Sequence, residues 1–153
     1  MANTYTQIHI QAVFAVQNRQ SLINQTWKSE LYKYITGIIQ NHGHKVIQIN
    51  GVADHVHVLF GMRPTQALSG LIQQVKQDSS KWINEKDFTS DRFSWQAGFG
   101  AFSYSKWDVP KIARYIYNQE EHHKTVTFRD EYVKLLQEFD VEFDERYILK
   151  SIP

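Results

Sequence analysis

Asp54-His55-Val56-His57-Val58-Leu59-Phe60 is the stretch from which this chain is read. Strand side chains alternate faces with a period of two, so His55, His57 and Leu59 share one face while Val56, Val58 and Phe60 share the other. The two imidazoles therefore point the same way. With a third donor they can hold one divalent ion on the exposed face of a sheet whose reverse is core. Upstream, Val46, Ile47 and Ile49 begin another strand. Asn50-Gly51 predicts a tight hairpin turn, after which the histidine strand returns antiparallel.

Further out, Ile8, Ile10, Ala12 and Phe14 alternate with Gln7, His9, Gln11 and Val13, a first strand that ends at the polar Gln17–Gln20 loop. From Trp27 the period changes: Trp27, Leu31, Tyr34, Ile35, Ile38 and Ile39 recur at helical spacing and stop near Asn41-His42-Gly43. After Pro64 a second helical stripe runs through Leu68, Leu71, Ile72, Val75, Ser79, Trp82 and Ile83. A polar loop, Asn84 to Arg92, leads to Phe93, Trp95, Phe99, Phe102 and Tyr104 around Gly98 and Gly100, which predict a bent strand or hairpin. Pro110 opens a helix expected to run to about His123, and Phe128, Tyr132, Leu135, Leu136 and Phe139 mark a last one.

This order predicts an α+β, ferredoxin-like fold: a split βαβ, RRM-like antiparallel sheet with helices over one face and the other face open. Fold alone does not give function.

The composition narrows the classes. With 153 residues, 42% of them hydrophobic, the chain suits one domain spanning 1–153, with a core at about 4–124 and a C-terminal helix and tail at about 125–153. A net charge of +1 confines any nucleic-acid contact to local clusters of Lys and Arg. The absence of cysteine excludes disulfides, thiolate catalysis and Cys-ligated zinc. No apolar run has membrane-spanning length and Met1 to Gln11 does not read as a leader, so a cytoplasmic protein without a membrane partner is expected.

A His-x-His pair alone does not specify a site. His42-Gly43-His44 is a second pair, and its glycine at a predicted turn makes it a helix stop. What adds weight is Arg114-Tyr115-Ile116-Tyr117-Asn118-Gln119. Helical neighbours four apart share a face, so Tyr115 and Gln119 stack one turn apart. Tyr117 points roughly 200° away from Tyr115.

Here the sequence resembles the single-tyrosine HUH transposases of bacterial insertion sequences, the TnpA type of insertion sequence 200/605, with the REP-associated tyrosine transposases as close relatives. The resemblance rests on Ala53-Asp54-His55-Val56-His57-Val58-Leu59, on Leu71 to Ile83 with Lys76-Gln77-Asp78-Ser79-Ser80-Lys81, on Trp95 to Ser105, and on Val109 to Gln119. Two features depart from it. Ala53 stands where relatives often carry proline, and the tail after Thr125 holds no matching motif.

The resemblance implies that His55, His57 and Gln119 are metal ligands and that Tyr115, on a C-terminal helix, is the nucleophile. It implies Mg²⁺ or Mn²⁺ as cofactor and a covalent 5′-phosphotyrosine intermediate formed as single-stranded DNA is cleaved and rejoined at insertion-sequence ends. It also implies a homodimer that binds hairpin ends and builds each site from one subunit's histidines and the other's tyrosine helix.

Arg63, Lys76, Lys81, Lys106, Lys111 and Arg114 are the candidate DNA-phosphate contacts. His9 is a possible neighbour of the site, whereas His122 and His123, at a helix end, are left outside the metal set. Two other classes remain open at this point. One is a domesticated single-stranded or hairpin nucleic-acid-binding module without transposition activity. The other is a small metallohydrolase using an activated water, in which Tyr115 is dispensable.

Overall fold

The structure, a computed structural model, describes residues 3–148. The chain runs β1 (His9–Ala15), α1 (Lys28–Asn41), β2 (Lys45–Val52), β3 (His55–Gly61), α2 (Leu68–Glu85), β4 (Gly100–Tyr104), α3 (Val109–Tyr117), α4 (Gln119–His122) and α5 (Phe128–Glu138). The sheet order is β2-β3-β1-β4, antiparallel throughout, so the βαββαβ core is ferredoxin-like as the sequence predicts.

The register sorts the side chains. Ala15 lies opposite His55, Val13 opposite His57 and Gln11 opposite Leu59, so these six residues share a face. On the other face Ala12, Phe14, Val56, Val58 and Phe60 pack against Leu31, Ile35 and Ile39 of α1 and Leu71, Ile72, Val75 and Ile83 of α2. Each fully buried aliphatic or phenyl group there is worth roughly 1.5–3 kcal/mol.

The histidine face is not open, and this is a correction. Phe128, Leu135 and Leu136 of α5 pack on Val13, Ala15 and Phe102, and His55 and His57 are fully buried. The last amphipathic helix needs an apolar partner, and the second sheet face is the one left for it. The Thr127 hydroxyl accepts from the Asp130 N–H at 3.2 Å, which caps α5.

Two local readings also change. Asn50-Gly51 lies inside β2, and the two-residue turn is Ala53-Asp54. A Cβ at Gly51 would fall 2.1 Å from the His55 carbonyl oxygen, so the glycine serves a close backbone approach rather than a turn. The helix from Pro110 breaks at Asn118 (φ −92°, ψ 19°) into α3 and α4. Its backbone bonds nearly bridge the break, because Asn118 N–H donates to Arg114 O and His123 N–H to Gln119 O.

His44 is structural. It accepts from the Arg63 N–H at Nδ1 (3.0 Å), and its Nε2–H faces Gln66 Oε1 at 2.7 Å. No helix among the described residues is long and apolar enough to cross a membrane.

Candidate active site

His55 and His57 project from β3 onto the face covered by α3, α4 and α5. Their outer nitrogens are fixed first. His55 Nδ1 lies 2.7 Å from Asp54 Oδ1, and a carboxylate only accepts, so the proton sits on Nδ1. His57 Nδ1 lies 2.7 Å from Gln11 Oε1, while Gln11 Nε2 donates to the Tyr104 hydroxyl at 2.7 Å. Both rings thus turn Nε2 inward, the arrangement that an acceptor behind an imidazole enforces at metal sites. Phe128 stacks on His55 at 3.8 Å between ring centres and fixes its plane.

The inward nitrogens meet Glu131, on the first turn of α5. Its Oε1 stands 2.9 Å from His57 Nε2, 3.0 Å from His123 Nε2 and 3.5 Å from His55 Nε2. Its Oε2 accepts from the Tyr115 hydroxyl and, at 2.9 Å, from Gln119 Nε2. Gln119 Oε1 lies 3.1 Å from His55 Nε2. A carboxylate in the first turn also sits at the positive end of its helix dipole.

The electrostatics follow from this geometry. Burial alone would push the Glu131 carboxyl up, but His123, His55 and His57 hold it well below the usual carboxylate range. Burial pushes the His57 imidazole down to about 4, against the pull of Glu131. For His55 burial acts the same way, yet Asp54 and Glu131 outweigh it and raise its affinity for a proton. Burial, then the Glu131 charge, raises the Tyr115 phenol above its ordinary value and keeps it protonated in the metal-free protein.

The donor set fits a divalent ion. His55, His57, His123 and Glu131 each offer one ligand atom, and these four atoms all lie within 4.8 Å of one another.

Tyr115 stands beside the histidines of its own chain, its ring 5.9 Å from that of His57. Tyr117 points to solvent, as helix geometry predicts. A cleft of about 590 Å³ opens over the tyrosine, lined among others by Tyr104, Lys111, Tyr115, His122 and Glu131. His122 Nε2 is 3.3 Å from Glu131 Oε2.

Of the basic candidates, Lys106, Lys111 and Arg114 are exposed, and Lys111 lines this cleft. Lys76 and Lys81 belong to α2, which packs on the opposite sheet face. Lys76 donates to the carbonyls of Gln96 (2.8 Å) and Gly98, and Lys81 faces Glu85 at 3.9 Å. Arg63 is exposed by the groove under residues 4–9, away from Tyr115. His9 lies opposite Gly61 and Tyr104 at the far end of β1 from His55.

Sequence reasoning passed over Gln11 and Glu131, and it set His123 aside. His123 enters because the chain turns after α4, its Nδ1–H donating to Val126 O at 2.7 Å.

The sequence profile of the family described as "Transposase IS200 like" matches residues 4–119, which include both histidines, Tyr115 and Gln119. The chain belongs to the IS200-like transposase family. Two solved structures share the fold of this family member. One is a candidate transposase from Deinococcus radiodurans R1, 17% identical, with a TM-score of 0.61 over 78% of this chain and 95% of that one. The other is a REP-associated tyrosine transposase bound to a REP hairpin, 15% identical, also with a TM-score of 0.61, over 100% of this chain and 96% of that one. No curated protein matches the chain.

Proposed function

We propose that this transposase cleaves and rejoins single-stranded DNA at hairpin-bearing insertion-sequence ends, with Tyr115 as the nucleophile and a divalent ion, Mg²⁺ or Mn²⁺, as cofactor. The observation that carries the reading is convergence. Tyr115, Gln119, His55 and His57 come from α3, α4 and β3, the strand far from the helices in sequence, and all four turn polar atoms toward one carboxylate. The hairpin held by the REP-associated neighbour supports the same kind of ligand for this chain.

His55 and His57 would hold the ion, with Gln119 beside them as the family resemblance implies. The ion supplies positive charge to the scissile phosphate and offsets the charge that builds in the transition state.

The chain's own residues do the rest. Tyr115 loses its phenolic proton, its oxygen bonds to phosphorus and the P–O3′ bond breaks. The departing oxygen takes up a proton as a free 3′-OH. One phosphodiester replaces another, so no nucleotide cofactor is consumed, and attack by a different 3′-OH on the phosphotyrosine releases the enzyme. Lys111, one turn from Tyr115, and Arg114, next to it in the chain, position the strand through its phosphates. Joining two ends needs two nucleophiles, so two copies act together, each with its own Tyr115 beside its own histidines.

The test uses labelled single-stranded oligonucleotides from the flanks of the gene, incubated with the full chain and Mn²⁺ or Mg²⁺. A covalent DNA–protein band is expected, lost in Tyr115→Phe and with EDTA. An unchanged band in Tyr115→Phe overturns the reading. Tight hairpin binding with no adduct under any metal would favour a binding module instead.

A further inference from the structure

We infer that the metal site of this chain is closed by two donors from beyond the family-matched segment, Glu131 and His123, giving three imidazoles and one carboxylate. The inference rests on the proposed metal-dependent function and names the ligands and the class of ion. The profile match ends at residue 119, whereas His123 follows α4 and Glu131 lies on α5.

Hydrogen-bond polarity carries the argument. Asp54 Oδ1, Gln11 Oε1 and Val126 O can only accept, so each takes the Nδ1 proton of its histidine at 2.7 Å. Each ring then turns its Nε2 inward, onto Glu131 Oε1 at 2.9, 3.0 and 3.5 Å. Three imidazole nitrogens and a carboxylate oxygen converging on one point form a donor set for a cation.

The rings are packed close, with ring centres 5.1 Å (His55 to His57) and 4.6 Å (His55 to His123) apart. One divalent ion satisfies all four donors at once.

Gln119 then works through Glu131. Its Nε2 donates to Oε2, as does the Tyr115 hydroxyl, and this would leave Oε1 for the ion. Gln119 thus braces the carboxylate, while its own Oε1 lies 3.1 Å from His55 Nε2. Of the two ions proposed above, three nitrogens and one carboxylate oxygen suit Mn²⁺, as they would Fe²⁺, Co²⁺ or Zn²⁺, better than Mg²⁺, which prefers an octahedral, oxygen-rich shell. The carboxylate also lowers the net charge of the ion and its ligands from +2 to +1.

The test reads metal binding without DNA. Calorimetric titration of the metal-free full chain with Mn²⁺, Zn²⁺ and Mg²⁺ is paired with X-ray absorption of the Zn²⁺-loaded protein, which counts imidazoles in the unmutated chain. The expectation is tight binding of Mn²⁺ and Zn²⁺, little of Mg²⁺, and three imidazoles per ion. Glu131→Gln and His123→Asn should each lose affinity by about 10–100-fold, the range for disturbing a metal's immediate surroundings. The imidazole count should fall to two in His123→Asn.

Circular dichroism in EDTA shows whether each variant folds, and the count on the unmutated chain stands if one does not. Two imidazoles in the unmutated chain, or wild-type affinity in both variants, overturns this inference and leaves the His55–His57 site standing. An ion whose binding is indifferent to His57→Ala overturns both.

Discussion

The side-chain amide of Asn50 donates a 2.9 Å hydrogen bond to the backbone carbonyl of Tyr117. Asn50 lies opposite His57 in the β2–β3 ladder, and Tyr117 ends α3. One bond therefore ties the end of the tyrosine helix to the strand pair that carries the histidines, and it satisfies a carbonyl that the helix leaves without a partner. Replacing Asn50 with Ala should destabilise the protein by about 1 kcal/mol. The rate of adduct formation should fall more than the affinity for DNA, because Tyr115 is no longer anchored while the groups that hold the phosphates stay. Single-turnover cleavage beside a binding titration checks this, and equal losses in both would assign Asn50 to DNA binding.

Tyr115 and His57 of one chain already meet, and that makes a complementation experiment decisive. Mixing Tyr115→Phe protein with His57→Ala protein should restore no cleavage, since neither partner holds both groups in one site. Substantial recovery of cleavage in the mixture would mean that the tyrosine helix swings across to a second copy. The measurement is adduct yield against the mixing ratio, with each variant alone as the baseline.

Trp107 is 82% exposed in the turn between β4 and α3, beside Lys106 and one helical turn from Lys111. Trp95 and Phe102, by contrast, are core. An exposed indole between Ser105 and Asp108, which line the cleft proposed to take single-stranded DNA, is suited to stack an unpaired base. Trp107→Ala should weaken binding of single-stranded DNA by about 5–150-fold, the equivalent of roughly 1–3 kcal/mol per stacked base. Trp107→Phe should keep most of the affinity, and the melting temperature should not move. Removing Lys111 or Arg114 should instead make binding less sensitive to salt, by about 0.7 in log–log slope for each phosphate no longer neutralised. Fluorescence anisotropy across a salt series separates the two effects.

How much of this was legible in the sequence depends on what set each feature. The alternation of His55, Val56 and His57 is local and survives folding intact. The four-residue spacing of Tyr115 and Gln119 is local too, and the break at Asn118 leaves it in place. Asn50-Gly51 misled because strand register outweighed its turn preference.

Glu131 was hidden by distance along the chain, though it left a signal. Phe128, Leu135 and Glu131 fall at helical spacing on one stripe, so a carboxylate stood in the core face of the last helix. Gln11 left the same kind of mark, an amide alternating with Val13 and Ala15 on the inward face of β1. A polar group in a buried stripe needs a partner, and both found theirs on the same histidine.

Lys76 supplies a pH prediction far from the site. Burial lowers its ammonium to about 8, and the hydrogen bonds it donates to the carbonyls of Gln96 and Gly98 offset that cost only in part. In the unfolded chain the same group titrates near its ordinary value of 10.5. Between about pH 8 and 10.5 the unfolded state therefore binds more protons than the folded one, and the Lys76 contribution to stability rises with pH across that window. Below about pH 8 both states are charged, and the folded state carries the full cost of burying the ammonium. Lys76→Met removes the titrating group, whose Nζ lies 6.0 Å from the Phe14 ring centre, while keeping an unbranched apolar side chain. The stability difference between Lys76→Met and wild type should shift in favour of wild type as pH rises from about 8 to about 10. Urea unfolding at several pH values measures it, and a constant difference would show that Lys76 carries no shifted ammonium.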